Sequence, residues 1–475
     1  MKMLLFFLSI LLSIPIHCNE SIAPESCELI IFIHGTIKPP DISFSSLYKI
    51  INDEVDDTIL ALATEHVRKN PFFYRGQPIQ ELGLKPIVIT SPDSKEVTTR
   101  TAQTIAEIYD FQYSLAQKNT TKRFYYTFGW NGLLSVRKRH EAAGELYRTL
   151  QAEIRKFKAQ NIEPKITLVT YSHGGNVALY LPMIQEDQEN KENPMEPLSV
   201  DTLIMLACPI QKETDYFVQN NLFKKVYNLF STEDCVQQWD FFSSQEQFFS
   251  QRMFRNRRTF TVPNKIVQVR IRTTKKIRCA LPETIAGNVD TLLSLSPKCF
   301  EHRDPGHMEI GGFSWGNYWY RNTFPLFPLP IIALVPTIIT TIESLLPTTT
   351  LATFDFIPEH NCAIVTDNYS KHKKLHILWT PEERIKLWDN LCTNIPLDYT
   401  YYNQETHIAE AIRTAHETLL KTKNGRQYRK PHNKTLARLI EKTDYIERPH
   451  TLIAHNKNNG RKQYRFTHHN HNTIT

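Results

Sequence analysis

Short apolar runs alternate along this chain with longer segments in which apolar residues recur every three or four positions. The first run, Glu28–Ile33, is nearly continuous and ends at His34, as expected for a strand buried on both faces of a sheet. Five later runs have the same character: Arg123–Trp130, Lys165–Tyr171, Thr202–Ala207, Lys225–Phe230 and Lys265–Ile271. Helical spacing is found in Arg139–Phe157 and Gly174–Ile184. This alternation predicts an α/β fold with a mostly parallel sheet flanked by helices.

Two segments interrupt the alternation. Residues 40–120 are predicted to be an insertion between the first two strands, with helices at Ser45–Asn52 and Asp57–Arg68. The second segment, Pro330–Leu346, is strongly apolar, and we expect one helix kinked at Pro336 because proline has no backbone N–H. Its prolines argue against a membrane-spanning helix. Both segments are candidate lids. We assign residues 27–320 to the main domain and residues 321–396 to a cap-like segment together with the C-terminal part of the core.

The first 18 residues are predicted to be a secretory signal peptide. Lys2 precedes an apolar run that is short for a membrane span and that ends near Pro15. The mature protein is therefore expected to be exported, as a periplasmic, secreted or membrane-associated protein, and an uncleaved anchor is the alternative. Cleavage after Cys18 would leave seven cysteines, of which Cys279 and Cys299 could pair in an oxidising compartment.

The positive charge of the chain is concentrated at its C-terminal end. The net charge is +7, but residues 411–475 carry 14 Lys and Arg against 4 Asp and Glu, which leaves the remainder negative. Residues 397–475 are predicted to be a basic, polar and partly disordered extension, or an arm that binds an anionic membrane surface. No nucleic-acid-binding motif is visible, so no nucleic-acid partner is expected. No C-x-x-C pair suggests structural zinc, and neither a metal nor a cofactor is predicted.

The candidate chemistry begins at a serine between a predicted strand and a predicted helix. Lys165–Tyr171 is followed directly by Ser172, and the helical segment Gly174–Ile184 begins two residues later. A serine on such a turn projects its hydroxyl above the sheet edge, and crowding there requires small residues two positions before and after it. Gly174 meets this requirement, whereas Thr170 stands where glycine is usual. Ser172 is a candidate nucleophile, and a serine in an ordinary strand–helix turn is the alternative.

A nucleophilic serine needs backbone donors for the oxyanion that forms during acyl transfer. One donor is expected to be the N–H of His173, next to the serine. The second should come from the loop after the first strand, where Gly35 or Thr36 could donate, and we choose Thr36. His34 in that loop is predicted to be structural rather than a catalytic base.

An acid and a histidine should follow the serine in chain order. Asp234 comes shortly after the fifth predicted strand and would hold the imidazole in the right tautomer, with Glu233 and Asp240 as alternatives. His307 follows the last predicted strand and would be the base, with His302 as its alternative.

Together these residues make the chain resemble the α/β-hydrolase family, in particular its lipase- and esterase-like members. The resemblance covers about residues 28–315 and rests on His34-Gly35, Tyr171-Ser172-His173-Gly174-Gly175, Asp234 and His307. It implies a catalytic triad of Ser172, His307 and Asp234, no metal, and a cap domain over the pocket. Thr170 departs from the family pattern.

The expected activity is serine-dependent hydrolysis of a carboxylic ester, from a lipid or another acyl compound, through an acyl-enzyme intermediate. An acyltransferase or a peptidase with the same triad is an alternative, since the sequence does not distinguish water from another acyl acceptor. A non-catalytic binding protein on the same scaffold is the alternative from another functional class.

Overall fold

The computed structural model describes residues 27–37, 77–89, 99–116, 121–190, 196–238, 250–276, 300–311, 331–357, 362–367, 372–376, 451–455 and 463–467, with positions 61, 64, 65, 68 and 74. The predicted signal peptide, the helix predicted at Ser45–Asn52, the cysteines Cys279 and Cys299, Asp240 and most of the tail lie outside these residues. The described positions 61, 64, 65 and 68 of the helix predicted at Asp57–Arg68 are helical.

An eleven-stranded sheet forms the centre of the described chain. Its strands are β1 (Cys27–Ile33), β2 (Gly83–Ile87), β3 (Lys122–Gly129), β4 (Pro164–Tyr171), β5 (Val200–Leu206), β6 (Phe223–Phe230), β7 (Ile266–Lys276), β8 (Phe300–Arg303), β9 (Leu351–Ile357), β10 (Cys362–Asp367) and β11 (His372–His376). The order in space is β11-β10-β9-β7-β6-β5-β4-β1-β3-β2, and β8 pairs with β7 outside this order. A separate antiparallel pair is formed by β12 (Thr451–His455) and β13 (Gln463–Thr467).

The strands from β9 to β3 in this order are parallel to their neighbours, whereas β2, β8, β10 and β11 pair antiparallel. The six predicted strands correspond to β1, β3, β4, β5, β6 and β7. The prediction of an α/β fold with a mostly parallel sheet is therefore confirmed. Because the parallel strands run in one direction, the loops after β1, β4, β5 and β6 meet at one edge of the sheet.

Alternate residues of β1 point to opposite faces of the sheet and divide the core into two layers. Ile30 and Phe32 belong to one apolar cluster, with helices α1 (Arg100–Ala116) and α7 (Ile331–Leu345). Leu29 and Ile31 belong to the other cluster. That second layer holds α2 (Val136–Lys158), α3 (Gly174–Leu179) and α4 (Leu181–Glu189), and two short helices follow strands, α5 (Cys235–Gln238) after β6 and α6 (His307–Gly311) after β8.

The apolar segment around Pro336 lies in the core, so the expectation that it forms a lid is wrong for α7. The helix is buried in the same cluster as Val267, Val269 and Ile271 of β7. It leads directly into β9, which extends the parallel sheet beside β7. An apolar helix with this placement gains more by covering a sheet face than by covering a pocket, since sheet burial removes it fully from water.

Side chains of α1 compensate for the helical hydrogen bond that Pro336 removes. Because Pro336 has no N–H, the carbonyl of Ile332 loses its helical partner, and the Tyr109 hydroxyl donates to it instead at 2.7 Å. One residue further along, the side-chain oxygen of Gln112 accepts from the N–H of Thr337 at 3.2 Å and from its hydroxyl at 2.6 Å. The expectation of a single helix through Pro336 is confirmed.

The predicted insertion over residues 40–120 also supplies parts of the main domain. Strand β2 pairs antiparallel with β3, and helix α1 covers one face of the sheet. The ring of Tyr109 meets that of Phe32 edge-on, with 5.1 Å between the ring centroids. Residues 83–87 and 100–113 are therefore structural layers, and a lid role is wrong for them.

Candidate active site

Three side chains from distant parts of the sequence meet at the edge of the sheet. Ser172 follows β4, Asp234 follows β6, and His307 begins α6. The His307 Nε2 atom lies 3.0 Å from the Ser172 Oγ atom, and the His307 Nδ1 atom lies 2.8 Å from an Asp234 carboxylate oxygen. All three side chains are buried.

The alternatives for the acid and the base have other positions. Glu233 is exposed, and its backbone N–H donates to the Ser231 hydroxyl at 3.2 Å. His302 lies in β8, where its backbone pairs with Thr274 of β7. Of the two histidines, His307 is the one that the structure places against Ser172.

The turn at Ser172 has the sharp geometry that the sequence pattern predicted. Ser172 has a φ of +52°, which an L-residue adopts at an energetic cost, and its N–H donates to the carbonyl of Leu206 at 2.8 Å. A Cβ atom on Gly35 would lie 2.7 Å from the Ser172 Cβ, and one on Gly174 would lie 2.6 Å from the carbonyl oxygen of Ile33. Glycine is required at both positions because the β1 loop and the α3 backbone pass so close to the turn.

Thr170, which replaces the usual glycine, fits because its side chain has a hydrogen-bond partner in β5. The Thr170 hydroxyl donates to the carbonyl of Ile204 at 3.1 Å, and the side chain is fully buried. The departure at Thr170 is therefore compatible with a positive φ at Ser172 in this chain.

Asp234 is fully buried and both of its carboxylate oxygens accept hydrogen bonds. One oxygen accepts from the backbone N–H of Gln237 at 3.1 Å and the other from Nδ1 of His307. Since a carboxylate accepts, the proton of a neutral His307 lies on Nδ1, and Nε2 is left to accept from the Ser172 hydroxyl. The arrangement orients the imidazole for proton abstraction from Ser172.

Tyr171 also holds His307, a role that nothing in the sequence indicated. Its hydroxyl donates to the backbone carbonyl of His307 at 3.1 Å, and the two rings lie 5.1 Å apart between centroids. Burial, and secondarily the charge of Asp234, raises the pKa of Tyr171 well above its usual value, so the hydroxyl remains a donor. Gly311 lets the Tyr171 ring pack closely, since a Cβ there would lie 2.2 Å from it.

The two predicted oxyanion donors are sequence neighbours of the serine and of Gly35. His173 follows Ser172 directly, and Thr36 follows Gly35, whose backbone lies against the Ser172 side chain. The Thr36 hydroxyl oxygen is buried and has no hydrogen-bond partner among the described residues. The assignment of the Thr36 and His173 N–H groups to an oxyanion hole stays a prediction.

His34 fixes the loop that carries Thr36. Its Nε2 atom accepts from the backbone N–H of Trp130 at 3.0 Å, so its proton lies on Nδ1 and is donated to the Gly35 carbonyl at 2.6 Å. The Arg68 guanidinium also donates to Nε2, at 2.6 Å. Burial, together with the charge of Arg68, holds the pKa of His34 well below its usual value. His34 is thus a neutral structural residue, and its contact with Arg68 was not apparent from the sequence.

Hydrogen bonds between α3 and the loop after β5 orient His173. The Asn176 amide nitrogen donates to the Pro209 carbonyl at 3.0 Å, while its oxygen accepts from the Thr214 hydroxyl at 2.7 Å. The same nitrogen lies 3.3 Å from Nδ1 of His173, which therefore accepts. The loop after β5 thus supports the residue next to Ser172.

Within the residues that the structure covers, no group of three or more His, Cys, Asp or Glu side chains is arranged to hold a metal ion. In the same part of the chain, no helix is both long enough and apolar enough to cross a membrane. Comparison with protein-family models and with curated proteins finds no significant match to this chain.

Proposed function

We propose that the protein is a serine hydrolase that cleaves carboxylic esters, with a lipid or another acyl ester as substrate. The observation that carries the proposal is the hydrogen-bonded chain from the Ser172 hydroxyl through His307 to buried Asp234. The residue order Ser–Asp–His, the parallel sheet and the positive φ of Ser172 further support an α/β-hydrolase-like architecture.

The proposed reaction has two halves, each with one proton transfer in each direction. His307 Nε2 takes the proton of Ser172 as its Oγ bonds to the ester carbonyl carbon, and Asp234 stabilises the imidazolium. The N–H groups of Thr36 and His173 bind the oxyanion. His307 then protonates the departing alcohol as its bond to the carbonyl carbon breaks, which leaves an acyl group on Ser172. His307 then takes a proton from water as its oxygen bonds to the acyl carbon, and returns that proton to the Ser172 Oγ as the bond between Oγ and the acyl carbon breaks, which releases the carboxylic acid and restores Ser172.

The test is covalent labelling of the purified full chain with a fluorophosphonate, together with hydrolysis of short p-nitrophenyl esters. We expect labelling at Ser172, and we expect Ser172→Ala to lose labelling and to lower kcat by about 10⁶-fold. Ser344→Ala is the matched control, because Ser344 is an exposed serine of α7 whose hydroxyl donates to the Thr341 carbonyl. It should label and hydrolyse like the wild type.

The other outcomes separate the alternatives. Ester cleavage that persists in Ser172→Ala would overturn the mechanism. Labelling of Ser172 without ester hydrolysis would favour an acyltransferase or a peptidase, which uses the same triad on another acceptor or an amide bond. A wild-type chain that neither labels nor hydrolyses would be a non-catalytic protein on this scaffold.

A further inference from the structure

The acid and the base of the site reach it on separate loops. Asp234 lies at the end of the turn that follows β6, and His307 follows the loop that leaves β8. The two residues are 73 positions apart in sequence, and β7 lies next to both strands in the sheet. Since covalent connection cannot set the distance between these loops, a tertiary contact must do so.

Asp304 makes that contact. It is buried, and one of its carboxylate oxygens accepts from the backbone N–H of Thr232 at 3.1 Å, from the Thr232 hydroxyl, and from Nε of Arg270 at 2.9 Å. The Arg270 guanidinium also donates to the Thr232 hydroxyl oxygen at 3.1 Å. Thr232 is two residues before Asp234, and Asp304 is three residues before His307.

We infer that Asp304, with Arg270 and Thr232, is a positioning clamp that sets the distance between Asp234 and His307. The inference rests on the proposed function, because it assigns Asp304 a role in the activity of that site. The clamp holds the loop of His307 on the β7 side, while the Tyr171 hydroxyl holds the backbone of His307 on the β4 side. With both contacts in place, the imidazole is fixed between Ser172 and Asp234.

Strand β7 carries a second, similar ion pair that does not connect the loops of Asp234 and His307. Two residues after Arg270, Nε of Arg272 lies 3.5 Å from a carboxylate oxygen of Asp355 in β9. The Thr274 hydroxyl donates to Asp355 at 2.7 and 2.8 Å. Asp355 thus has the same partner types as Asp304, an arginine of β7 and a threonine, but it joins β7 to β9 rather than the two catalytic loops.

The central experiment compares Asp304→Ala with Asp355→Ala in the full chain. A misplacement of about 1 Å costs about 100-fold in rate, so Asp304→Ala should slow fluorophosphonate labelling by about that factor. A weaker bond to Asp234 stabilises the imidazolium less, so the labelling rate should reach half its maximum at a lower pH. Asp355→Ala should label at the wild-type rate, with an unchanged pH profile. Equal labelling by the two variants would overturn the inference.

A second pair of variants changes no charge and perturbs folding less. Thr232→Val removes the hydroxyl that bonds both Asp304 and Arg270, and Thr274→Val removes the corresponding hydroxyl at Asp355. We expect Thr232→Val to slow labelling by about 10-fold and Thr274→Val to leave it unchanged. A shift of the pH profile of labelling in Thr232→Val would show that the shift comes from the changed distance between Asp234 and His307 rather than from the lost charge of Asp304. Wild-type behaviour of Thr232→Val would contradict the clamp.

A spectroscopic measurement keeps this test independent of the proposed activity. The Nδ1 proton that His307 shares with Asp234 should give a low-field proton resonance in the wild type, assigned by its loss in His307→Gln. The resonance should broaden or disappear in Asp304→Ala and persist in Asp355→Ala. If it persists equally in both, the clamp is wrong even if the protein hydrolyses esters; if it responds as expected in a protein that labels nowhere, the proposed function fails and the clamp stands as a structural device.

Discussion

Two neighbouring strands, β4 and β5, end in turns with nearly the same backbone and different consequences. Ser172 follows β4 with a φ of +52°, and Ala207 follows β5 with a φ of +50°. The N–H of Ser172 donates to the carbonyl of Leu206, the last residue of β5, at 2.8 Å. The N–H of Ala207 likewise donates to the carbonyl of Leu229, the next-to-last residue of β6, at 3.0 Å. The backbone strain is therefore a feature of this sheet edge rather than of the candidate nucleophile alone.

The difference between the two turns lies in what surrounds the side chain. Ser172 meets His307, which comes from 135 residues further along the chain, whereas Ala207 is fully buried in the core and has no ionisable group. A strained turn thus positions a side chain, but reactivity requires the imidazole and the carboxylate behind it. This comparison explains why a sequence pattern around one serine is weak until its distant partners are placed.

The largest effect is expected from filling the space beside only one of the turns. A methyl group on Gly35 would lie 2.7 Å from the Ser172 Cβ, so Gly35→Ala must displace either the turn or the loop of Thr36. We expect ester hydrolysis to fall about 100-fold, because a shift of about 1 Å suffices for that loss. The measurement is kcat/KM on a p-nitrophenyl ester.

Gly144→Ala is the control for adding a methyl group to a glycine. Its Cβ would meet only Ile184 at 3.8 Å, an ordinary contact, and alanine favours the helix α2 by about 1 kcal/mol. It should keep full activity with equal or higher thermal stability. Full activity in Gly35→Ala would show that Ser172 does not need the geometry described for its turn.

The parts of the molecule that the sequence predicted correctly are those encoded by local pattern. The buried parallel strands are continuous apolar runs, and Ser172 and Asp234 each follow such a run, so that parallel topology brings them to one edge. His307 reaches the same site after β8, a short antiparallel strand that the pattern did not predict. The remaining errors concern contacts between distant segments. The sequence of an apolar helix such as α7 is the same whether the helix covers a pocket or a sheet. The contact of Gln112 with Thr337, which joins α1 to α7 in the core, spans 225 residues.

The residues that support the site were hidden for the same reason. Arg68 contacts His34 across 34 positions, and Asp304 contacts Thr232 across 72. Neither contact leaves a spacing or composition signal in a single chain. Nothing in the sequence marked Asp304 as part of the site, and its role depends on its contact with Arg270 of β7.

An intermediate effect is expected from relieving the strain in each turn separately. An L-residue with φ near +50° costs about 1 kcal/mol or more relative to glycine. Ala207→Gly should therefore raise the free energy of unfolding over the wild type by less than about 1 kcal/mol, because the lost burial of the methyl group, worth about 0.8 kcal/mol, offsets part of the relieved strain. Ser172→Gly should exceed Ser172→Ala by a similar amount, since that pair differs in strain and both lack the hydroxyl. Denaturant unfolding measures both differences, and a gain at only one position would show that the two turns are not equivalent.

The smallest effect is a pH dependence of stability that arises near the turn after β5 and not near the turn after β4. Asp215 lies in the 3₁₀ helix Asp215–Gln219 beyond the turn of Ala207, and its carboxylate oxygen is 2.6 Å from the Arg257 guanidinium. Burial raises the pKa of Asp215 to about 6 even though Arg257 opposes the shift. The folded protein therefore binds this proton more tightly than the unfolded chain, whose Asp titrates at about 4. The contribution of the bound proton to stability is complete below about pH 4 and is lost as the pH rises through about 6.

Relative to Asp215→Asn, the wild type should lose less than about 1 kcal/mol of unfolding free energy per pH unit in this window, because Arg257 is partly exposed to solvent. Parallel stability curves for the two proteins, or a wild type that gains stability with rising pH, would mean that the ion pair with Arg257 outweighs the burial of the carboxylate.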